Sequence, residues 1–502
     1  MGMSLRRFHA ARWDEPLIHQ IGAPGRRGQH YPQVAGDGLV PPGLARQTPP
    51  ALPELSEPEV LNHYLRLSQQ TMGMIGISLF GTCTMKYNPR AGEQAARRLA
   101  GIHPAQPPET MQGLLAAVHG LDLILRSLSG MDRFTFQPAG GADAAWTQAI
   151  ITRAFHAARG ESTTRTRIIT SLQSHPCNPA TAATAGFEVI TLPLGENGYP
   201  SLDALKAALG PDTAALMINN PDDMGVYNPE IAEWVRLTKA AGALAFYDHA
   251  NFNGVMTRIR ARDLGFDACM FMLHKTFGVS KGGGGPAVGA YGCTAELAPF
   301  LPGPLVAAGD AGYRLEQPPL ATAKVREYLG NLHQVFKAYA WARAMGADGL
   351  REAGGLSVLM NNYMEKRLLT LRGVSRSHPD QPLPRLEMTR YSLGQLYEET
   401  GVSAVDVQNR IADFGIDAFW LSHEPWIVPQ PFTPEAGEMW SREEIDEWID
   451  VLAHVIDEAY RDPDHVRAAP HNQAVARLSD RDLNDPANWA TTWAAWQRKR
   501  RA

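Results

Sequence analysis

The sequence predicts an α/β protein built on a mostly parallel sheet that is covered by helices. Between about residues 108 and 295, apolar runs of strand length alternate with helical stretches, which is typical of parallel strands joined by helical crossovers. Polar residues directly follow several of these runs, where functional residues of such sheets lie. The predicted strands are 133–137, 167–170, 188–191, 214–219, 243–247 and 268–272, and the predicted helices are 145–159, 202–209 and 231–241.

The rest of the chain is predicted to form an arm, a smaller domain and a tail. Residues 1 to about 60 are rich in Pro, Gly, Arg and His, which favours an extended arm packed on a larger body, with free disorder as the alternative. A helical region over 324–369, broken at Gly346 and at Gly354-Gly355, precedes a βα unit over 385–410. The capping box Ser441-Arg-Glu-Glu444 begins an amphipathic helix. We therefore expect an N-terminal arm (1–65), a large domain (66–325), a smaller C-terminal α+β domain (326–475) and a docked tail (476–502).

Composition excludes several functional classes. The 502 residues carry a net charge of −5 with 44% apolar residues, which gives no reason to expect nucleic acid or an anionic membrane as partner. No run reaches the roughly 20 apolar residues that a spanning helix needs, and no apolar secretory segment follows Arg6 and Arg7. Four scattered cysteines predict neither a disulfide framework nor a metal site. We expect a soluble protein in the reduced cytoplasm.

Lys275 and Asp248 are the strongest catalytic candidates. Lys275 directly follows a predicted buried strand and precedes Thr276 and a glycine run, a setting that fixes and partly desolvates an amine for Schiff-base formation. A surface lysine beside a flexible loop is the alternative for this segment alone. Asp248 lies 27 residues earlier at another strand end, where a buried carboxylate can pair with a protonated pyridine nitrogen. Together they predict a pyridoxal-phosphate site.

Two further segments support that interpretation weakly. The loop Pro138-Ala-Gly-Gly-Ala-Asp143 enters a helix, so its backbone N–H groups and the helix dipole predict a phosphate cradle. It lacks the glycine spacing of a dinucleotide fold and the Gly-Lys-Ser/Thr of a P-loop, which argues against a nucleotide-binding oxidoreductase. His175 follows the strand 167–170 and is either a residue that stacks on the cofactor ring or a structural loop histidine.

The motifs of this chain resemble those of subunit 2 of the glycine-cleaving P-protein, the decarboxylating glycine dehydrogenase, along most of its length. The resemblance begins at Ile21-Gly-Ala-Pro-Gly-Arg-Arg-Gly28 and includes Gly81-Thr-Cys-Thr-Met-Lys-Tyr-Asn-Pro89. It continues at His175 to Ala180 and at Tyr247 to Asn253. Leu273-His-Lys-Thr-Phe277 with the run Gly282 to Pro286 and the Met85–Pro89 run are the most specific matches.

The resemblance implies a fold-type I pyridoxal 5′-phosphate enzyme with Lys275 as the Schiff-base lysine, Asp248 at the ring nitrogen and His175 stacked on the ring. The implied cofactor contacts also include Ala139, Gly140, Gly141, Ala142, Asn251, His274 and Thr276. The implied substrate contacts are Thr82, Cys83, Thr84 and Lys86. Members of this family decarboxylate glycine and pass its aminomethyl group to the lipoyl arm of a carrier protein, together with a homologous subunit 1. A dimer or higher oligomer is expected.

Several departures from the family pattern lie near the implied cofactor and substrate. They are Asp143, Ala144 and Ala145 at the cradle, Pro176 and Cys177 after His175, His249 after the ring aspartate, Lys281 before the glycine run, and the stretches 387–390 and 429–435. Their clustering favours a changed substrate or acceptor, so a paralogue acting on another small amino acid is the second hypothesis. A non-catalytic partner subunit is the third, and retention of Lys275 and Asp248 argues against it. Cys83 and Cys177 could form a redox switch, although two buried free thiols are the favoured interpretation.

Overall fold

A computed structural model describes most of the chain. The described residues are 5–26, 28, 38, 40–41, 43–48, 50–73, 76–79, 88–280, 287–321, 324–418, 421–422, 427–477 and 484–501. The chain divides into two compact units, the first formed by Met1–Ser78, Val405–Ala418 and Asp457–Ala502 and the second by Leu79–Ala404 and Phe419–Ile456. The four-part domain division predicted from the sequence is finer than this and stays a prediction.

The described residues form α-helices and strands with the following bounds. The helices are α1 (Glu57–Gln69), α2 (Arg90–Ala96), α3 (Gln112–Ser129), α4 (Gly141–Ala158), α5 (Cys177–Thr184), α6 (Leu202–Ala208), α7 (Ile231–Ala240), α8 (Leu273–Thr276), α9 (Leu332–Leu368), α10 (Gly394–Thr400), α11 (Ala404–Ile411), α12 (Arg442–Arg461), α13 (Pro463–Arg467) and α14 (Trp493–Arg501). The strands are β1 (Ile77–Ser78), β2 (Arg133–Thr135), β3 (Arg167–Ser171), β4 (Glu188–Leu192), β5 (Thr213–Asn219), β6 (Leu244–His249), β7 (Ala268–Met272), β8 (Gly289–Cys293), β9 (Leu305–Gly309), β10 (Gly312–Glu316), β11 (Ser375–Arg376), β12 (Tyr391–Ser392), β13 (Ile416–Ala418) and β14 (Pro431–Phe432).

Seven strands of the second unit form the central sheet, in the order β2-β8-β7-β6-β5-β3-β4. From β7 to β4 every neighbouring pair is parallel, whereas β8 runs antiparallel to both β2 and β7. Strands β5, β6 and β7 are buried along their whole length, which explains their continuous apolar sequences. The predicted α/β class and mostly parallel sheet are confirmed.

Helices cover both faces of this sheet. Successive side chains of a strand point to opposite faces, and those of β6 accordingly enter two separate apolar cores. Phe246 joins a core with Ile151 of α4, whereas Tyr247 joins one with Leu121 of α3 and Trp234 of α7. Asp248, two residues after Phe246, therefore lies on the face that α4 covers.

The long helix α9 differs from its prediction in two ways. It begins at Leu332 rather than near Lys324, and Gly346, with φ of 63°, interrupts it as predicted. Gly354 and Gly355, predicted to break it, lie within the helix. The reason is close packing, because a Cβ atom on Gly354 would lie 3.0 Å from the carbonyl oxygen of Asn253 and 3.3 Å from that of Met256. This glycine lets α9 approach the loop after β6.

Smaller elements complete the two units. In the second unit β11, β12 and β14 form an antiparallel sheet, and the predicted apolar face of α12 is buried at Ile445, Trp448, Ile449, Leu452, Val455 and Ile456. In the first unit β1 pairs with β13. There the N-terminal arm is held by main-chain hydrogen bonds from Phe8 to Asp413 and from Ala10 to Asn472, each 2.9 Å long. Among the helices that the structure describes, none combines the length and apolarity that crossing a membrane demands.

Candidate active site at the carboxyl edge of the sheet

Lys275 and Asp248 lie at neighbouring strand ends of the central sheet. Asp248 is the next-to-last residue of β6, and the parallel strand β7 leads directly into α8, which carries Lys275. Because parallel strands point the same way, both residues reach the same edge of the sheet. Both are buried, with 7% of Lys275 and 1% of Asp248 exposed. An amine and a carboxylate are thus held together in a largely water-free setting.

A small cavity, too narrow in this structure to hold a water molecule, lies beside Lys275. Two of its walls are Asn251 and Thr276, which the sequence predicts as cofactor contacts, and His274 is half-buried in the same short helix. Asn253 and Glu435 also line the cavity, although the sequence analysis did not select them. Asn253 belongs to the matched run 247–253, and Glu435 closes the divergent stretch 429–435. Both residues could therefore have been predicted as site residues, Asn253 from the family match and Glu435 from the departure from it.

The carboxyl group of Asp248 accepts two hydrogen bonds. The backbone N–H of Ala250 donates to one oxygen at 2.9 Å, and the side-chain amide of Asn178 donates to the other at 3.0 Å. Burial nevertheless raises the pKa of Asp248 to about 6, with these bonds and the charge of Lys275 acting in the opposite direction. A cationic group bound beside this carboxyl would favour its ionised form. Asn178 was missed, although it lies three residues after His175.

His175 begins the turn between β3 and α5. Its Nδ1 atom accepts a hydrogen bond of 3.1 Å from the backbone N–H of Cys177, which fixes the ring relative to the start of α5. The ring is half-buried, and its stacking on a cofactor stays a prediction. Cys177 is a buried free thiol whose pKa is raised well above its usual value by burial. Cys177 is thus a buried free thiol, as the favoured interpretation of the sequence has it.

The predicted phosphate cradle forms the entry to α4. The helix begins at Gly141, four residues earlier than predicted, so Gly141 and Ala142 lie in its first turn, where backbone N–H groups have no intrahelical acceptor. A Cβ atom added to Gly140 would meet nothing within 4 Å, which indicates open space above the loop. The N–H of Ala139, by contrast, donates to the Asp143 carboxylate at 3.0 Å. Of the predicted cradle, Ala139 therefore has its N–H already bonded to Asp143, and the binding of phosphate by residues 140–142 stays a prediction.

Three further buried carboxyls surround this edge, and the sequence analysis selected none of them as site residues. Asp222 and Asp223 follow β5, and Glu387 lies against Gly254, one residue after the cavity wall. Burial raises the pKa of Asp222 to about 7 and that of Glu387 to about 8. The rule that polar residues gather at carboxyl ends of parallel strands could have found the first two.

Two predicted segments lie outside the described residues, namely the substrate contacts Thr82, Cys83, Thr84 and Lys86 and the glycine run 282–286. The described residues that flank them meet in one polar cluster. Asn88 and the buried Lys337 each donate to the hydroxyl of Ser280 at 3.0 Å, and both also bond to Glu93. The hydrogen bond from Lys337 is the main reason that the pKa of Glu93 is lowered to about 2.

In the described part of the chain, no group of three or more His, Cys, Asp or Glu side chains is placed to hold a metal ion.

Fold and site together define the fold-type I class of pyridoxal-phosphate proteins. The aminotransferase class-V family matches residues 146–303, which include Asp248 and Lys275. The structure is similar to the crystal structure of glycine decarboxylase (P-protein) of the glycine cleavage system in inhibitor-bound form, with a TM-score of 0.67 and 20% identity over 84% of this chain and 93% of that one. It is also similar to a cysteine desulfurase from Escherichia coli, with a TM-score of 0.58 and 17% identity over 77% of this chain and 95% of that one. At these identities the likeness concerns the fold.

Sequence comparison narrows the class to a family. The chain is 41% identical over 481 residues to a probable glycine dehydrogenase (decarboxylating) subunit 2 of Pyrococcus horikoshii, covering 94% of this chain and 95% of that protein. It is 37% identical over 479 residues to the protein of the same description from Halalkalibacterium halodurans, covering 93% and 96%. The chain belongs to the glycine dehydrogenase (decarboxylating) subunit 2 family. The resemblance seen in its motifs is confirmed.

Proposed function

We propose that this chain binds pyridoxal 5′-phosphate and decarboxylates glycine, in the manner of glycine cleavage. The observation that carries the proposal is the pair of buried residues Lys275 and Asp248 on adjacent strand ends, in a chain that belongs to this family throughout its length. The residues present fit the cofactor. Lys275 would hold it covalently, Asp248 would pair with the ring nitrogen, and the open space above Gly140 lies at the start of α4, where an anion is favoured.

The chemistry divides between the bound group and the chain. Pyridoxal phosphate supplies an electron sink for the electron pair left on the α-carbon when carbon dioxide departs. Asp248, fixed by Asn178 and Ala250, offers a negative charge that keeps a proton on the ring nitrogen. Lys275, buried at the same edge of the sheet, would hold or deliver a proton through Nζ. The buried residues around Lys275 would keep water from the reacting carbon.

The proposal includes partners. The relatives are named as a subunit 2, so we propose that this chain works with a homologous subunit 1, in a dimer or higher oligomer, and that a lipoyl carrier takes the aminomethyl group. The described cysteines 177, 269 and 293 are free and buried thiols, which supports a reduced cytoplasmic location. We propose neither a nucleic-acid nor a membrane partner.

A second candidate is a paralogous reaction on another small amino acid. It is favoured by the departures from the family pattern at Pro176, Cys177 and His249, which lie next to His175 and Asp248. The two candidates share the cofactor and its anchor, so they differ only in the amino acid that enters.

The test is the absorption spectrum of the purified chain while glycine is titrated in. We expect a visible band that Lys275→Ala abolishes and that the control Lys206→Ala retains. Lys275 is buried next to Asp248, whereas Lys206 is exposed. A saturable response to glycine supports glycine as substrate, whereas a response to another small amino acid alone favours the paralogue. Absence of the band after addition of pyridoxal phosphate contradicts the proposal.

A further inference from the structure

Asp223 presents a carboxylate oxygen to the site edge that no described residue satisfies. Its Oδ1 atom accepts hydrogen bonds from the side-chain amides of Asn251 at 2.9 Å and Asn219 at 3.4 Å. Its Oδ2 atom is buried and has no hydrogen-bond partner among the residues described, and only 2% of the residue is exposed. We propose that Oδ2 of Asp223 is a binding group of the active site, which accepts a hydrogen-bond donor or positive charge from the bound reactants.

The position of Asp223 relates it to the cavity beside Lys275. Asn251, which donates to Asp223, is itself a wall of that cavity. Asn219, the other donor, is the register partner of Asp248 across β5 and β6. Asp223 is also close enough to raise the pKa values of Asp248 and Cys177 through its charge. Asp223 therefore lies next to two predicted cofactor contacts, Asp248 and Asn251, and not on a remote part of the sheet.

The neighbouring Asp222 differs from Asp223 in its bonds to the turn, although its Oδ2 atom is likewise buried without a hydrogen-bond partner among the described residues. One Asp222 oxygen caps the turn after β5, accepting the N–H groups of Met224 and Val226 at 2.9 Å each. Asp223 makes no such bond to the turn. Its backbone carbonyl instead accepts from Arg390 at 3.1 Å, so that this buried guanidinium meets the main chain of Asp223 and also the hydroxyl of Thr433. Among the residues that the structure describes, the carboxyl group of Asp223 bonds to Asn219 and Asn251 alone.

A buried carboxylate oxygen without a donor has lost its hydration without compensation, and hydrogen bonds to charged groups are stronger than those between neutral groups. Two reactants of the proposed function carry suitable donors, the ammonium group of the amino acid and the hydroxyl group of the cofactor. Either would supply the donor that Oδ2 lacks. The inference rests on the proposed function and adds a specificity-determining residue to it.

The test compares Asp223→Asn with Asp203→Asn, an exposed aspartate on α6 whose only described ion pair is with Lys206. The asparagine can keep Oδ1 as acceptor for Asn219 and Asn251 but replaces Oδ2 by an amide donor, so the variant should fold. Circular dichroism checks the fold, and Asp223→Thr is the second variant should the first one fail. The dissociation constants of pyridoxal phosphate and then of glycine are measured by absorbance titration, without turnover.

A loss of glycine affinity of about 10- to 100-fold, with cofactor affinity within about twofold of wild type, identifies the amino acid as the donor. A similar loss of cofactor affinity identifies the cofactor hydroxyl. If both constants stay within about twofold of the wild type and of Asp203→Asn, the inference is overturned while the proposed function stands. A wild-type chain that binds no pyridoxal phosphate refutes the proposed function and this inference with it.

Discussion

His249, directly after Asp248, is a histidine buried where an apolar ring would fit. Its ring stacks on Tyr247 with centroids 3.7 Å apart and on Phe271 at 5.5 Å. Both ring nitrogens are buried and have no hydrogen-bond partner among the described residues, and burial lowers the pKa of His249 to about 3. The ring is therefore neutral at physiological pH, and its nitrogens have lost hydration without compensation.

We predict that His249→Phe stabilises the protein by about 1–2 kcal/mol, because it replaces unsatisfied polar atoms by an apolar ring of similar shape. The midpoint and slope of urea unfolding measure this. The control is His333→Phe at an exposed position, which should change the free energy of unfolding by less than about 0.5 kcal/mol. Destabilisation by His249→Phe would show that the imidazole has a partner, or that the larger ring overpacks the core.

The site residues that could be predicted well are those whose role follows from the residues next to them in the sequence. Lys275 and Asp248 could be selected because each directly follows or ends an apolar run, and parallel strands carry such residues to one edge. Asn178 and Glu387 could not, because their importance arises from hydrogen bonds and burial between segments 70 or more residues apart. Local patterns do not contain that information.

At the scale of the elements, the effect of glycine on the bounds of helix α9 was the hardest feature to predict from the sequence. The pair Gly354-Gly355 looks like a helix end in sequence, since glycine destabilises helices, and only the approach of α9 to the backbone of Asn253 and Met256 explains it. Six strands of the central sheet, by contrast, were predicted nearly to their bounds, and those buried on both faces, such as β5 and β7, carry continuous apolar runs. Strand β8 was not predicted. Contacts between distant elements were therefore the missing information.

The glycine pair gives a matched test on one helix. Gly354→Ala should destabilise by roughly 1–3 kcal/mol, because its Cβ would press on the carbonyl oxygens of Asn253 and Met256. Gly355→Ala should stabilise by about 0.5–1 kcal/mol, because its Cβ would meet only the end of the Arg258 side chain at 3.5 Å. Thermal unfolding of both variants measures these two changes in stability. Equal effects would mean that α9 does not pack on this loop as described.

At the scale of the whole molecule, the buried carboxyls make stability depend on pH. The pKa values of Asp248, Asp222 and Glu387 are raised by burial to about 6, 7 and 8, against ordinary values near 4 in the unfolded chain. Between about pH 4 and these raised pKa values, each of the three carboxyls keeps its proton in the folded chain but is ionised in the unfolded chain. Its free energy of unfolding therefore falls as pH rises through the folded pKa values. His249 acts in the opposite sense, but only below about pH 6.5, where an unfolded histidine is protonated.

We therefore predict that the cofactor-free chain loses stability between about pH 6.5 and pH 8, at roughly 1.4–2.7 kcal/mol per pH unit, since one to two protons are released on unfolding there. Urea unfolding across this range measures the slope. Glu387→Gln, which keeps the neutral state and removes the titrating proton, should reduce the slope by about half and raise stability at pH 8. A slope that is flat or rising in the wild type would show that these carboxyls are already ionised and paired in the folded chain. A slope that Glu387→Gln leaves unchanged would assign the released protons to other groups.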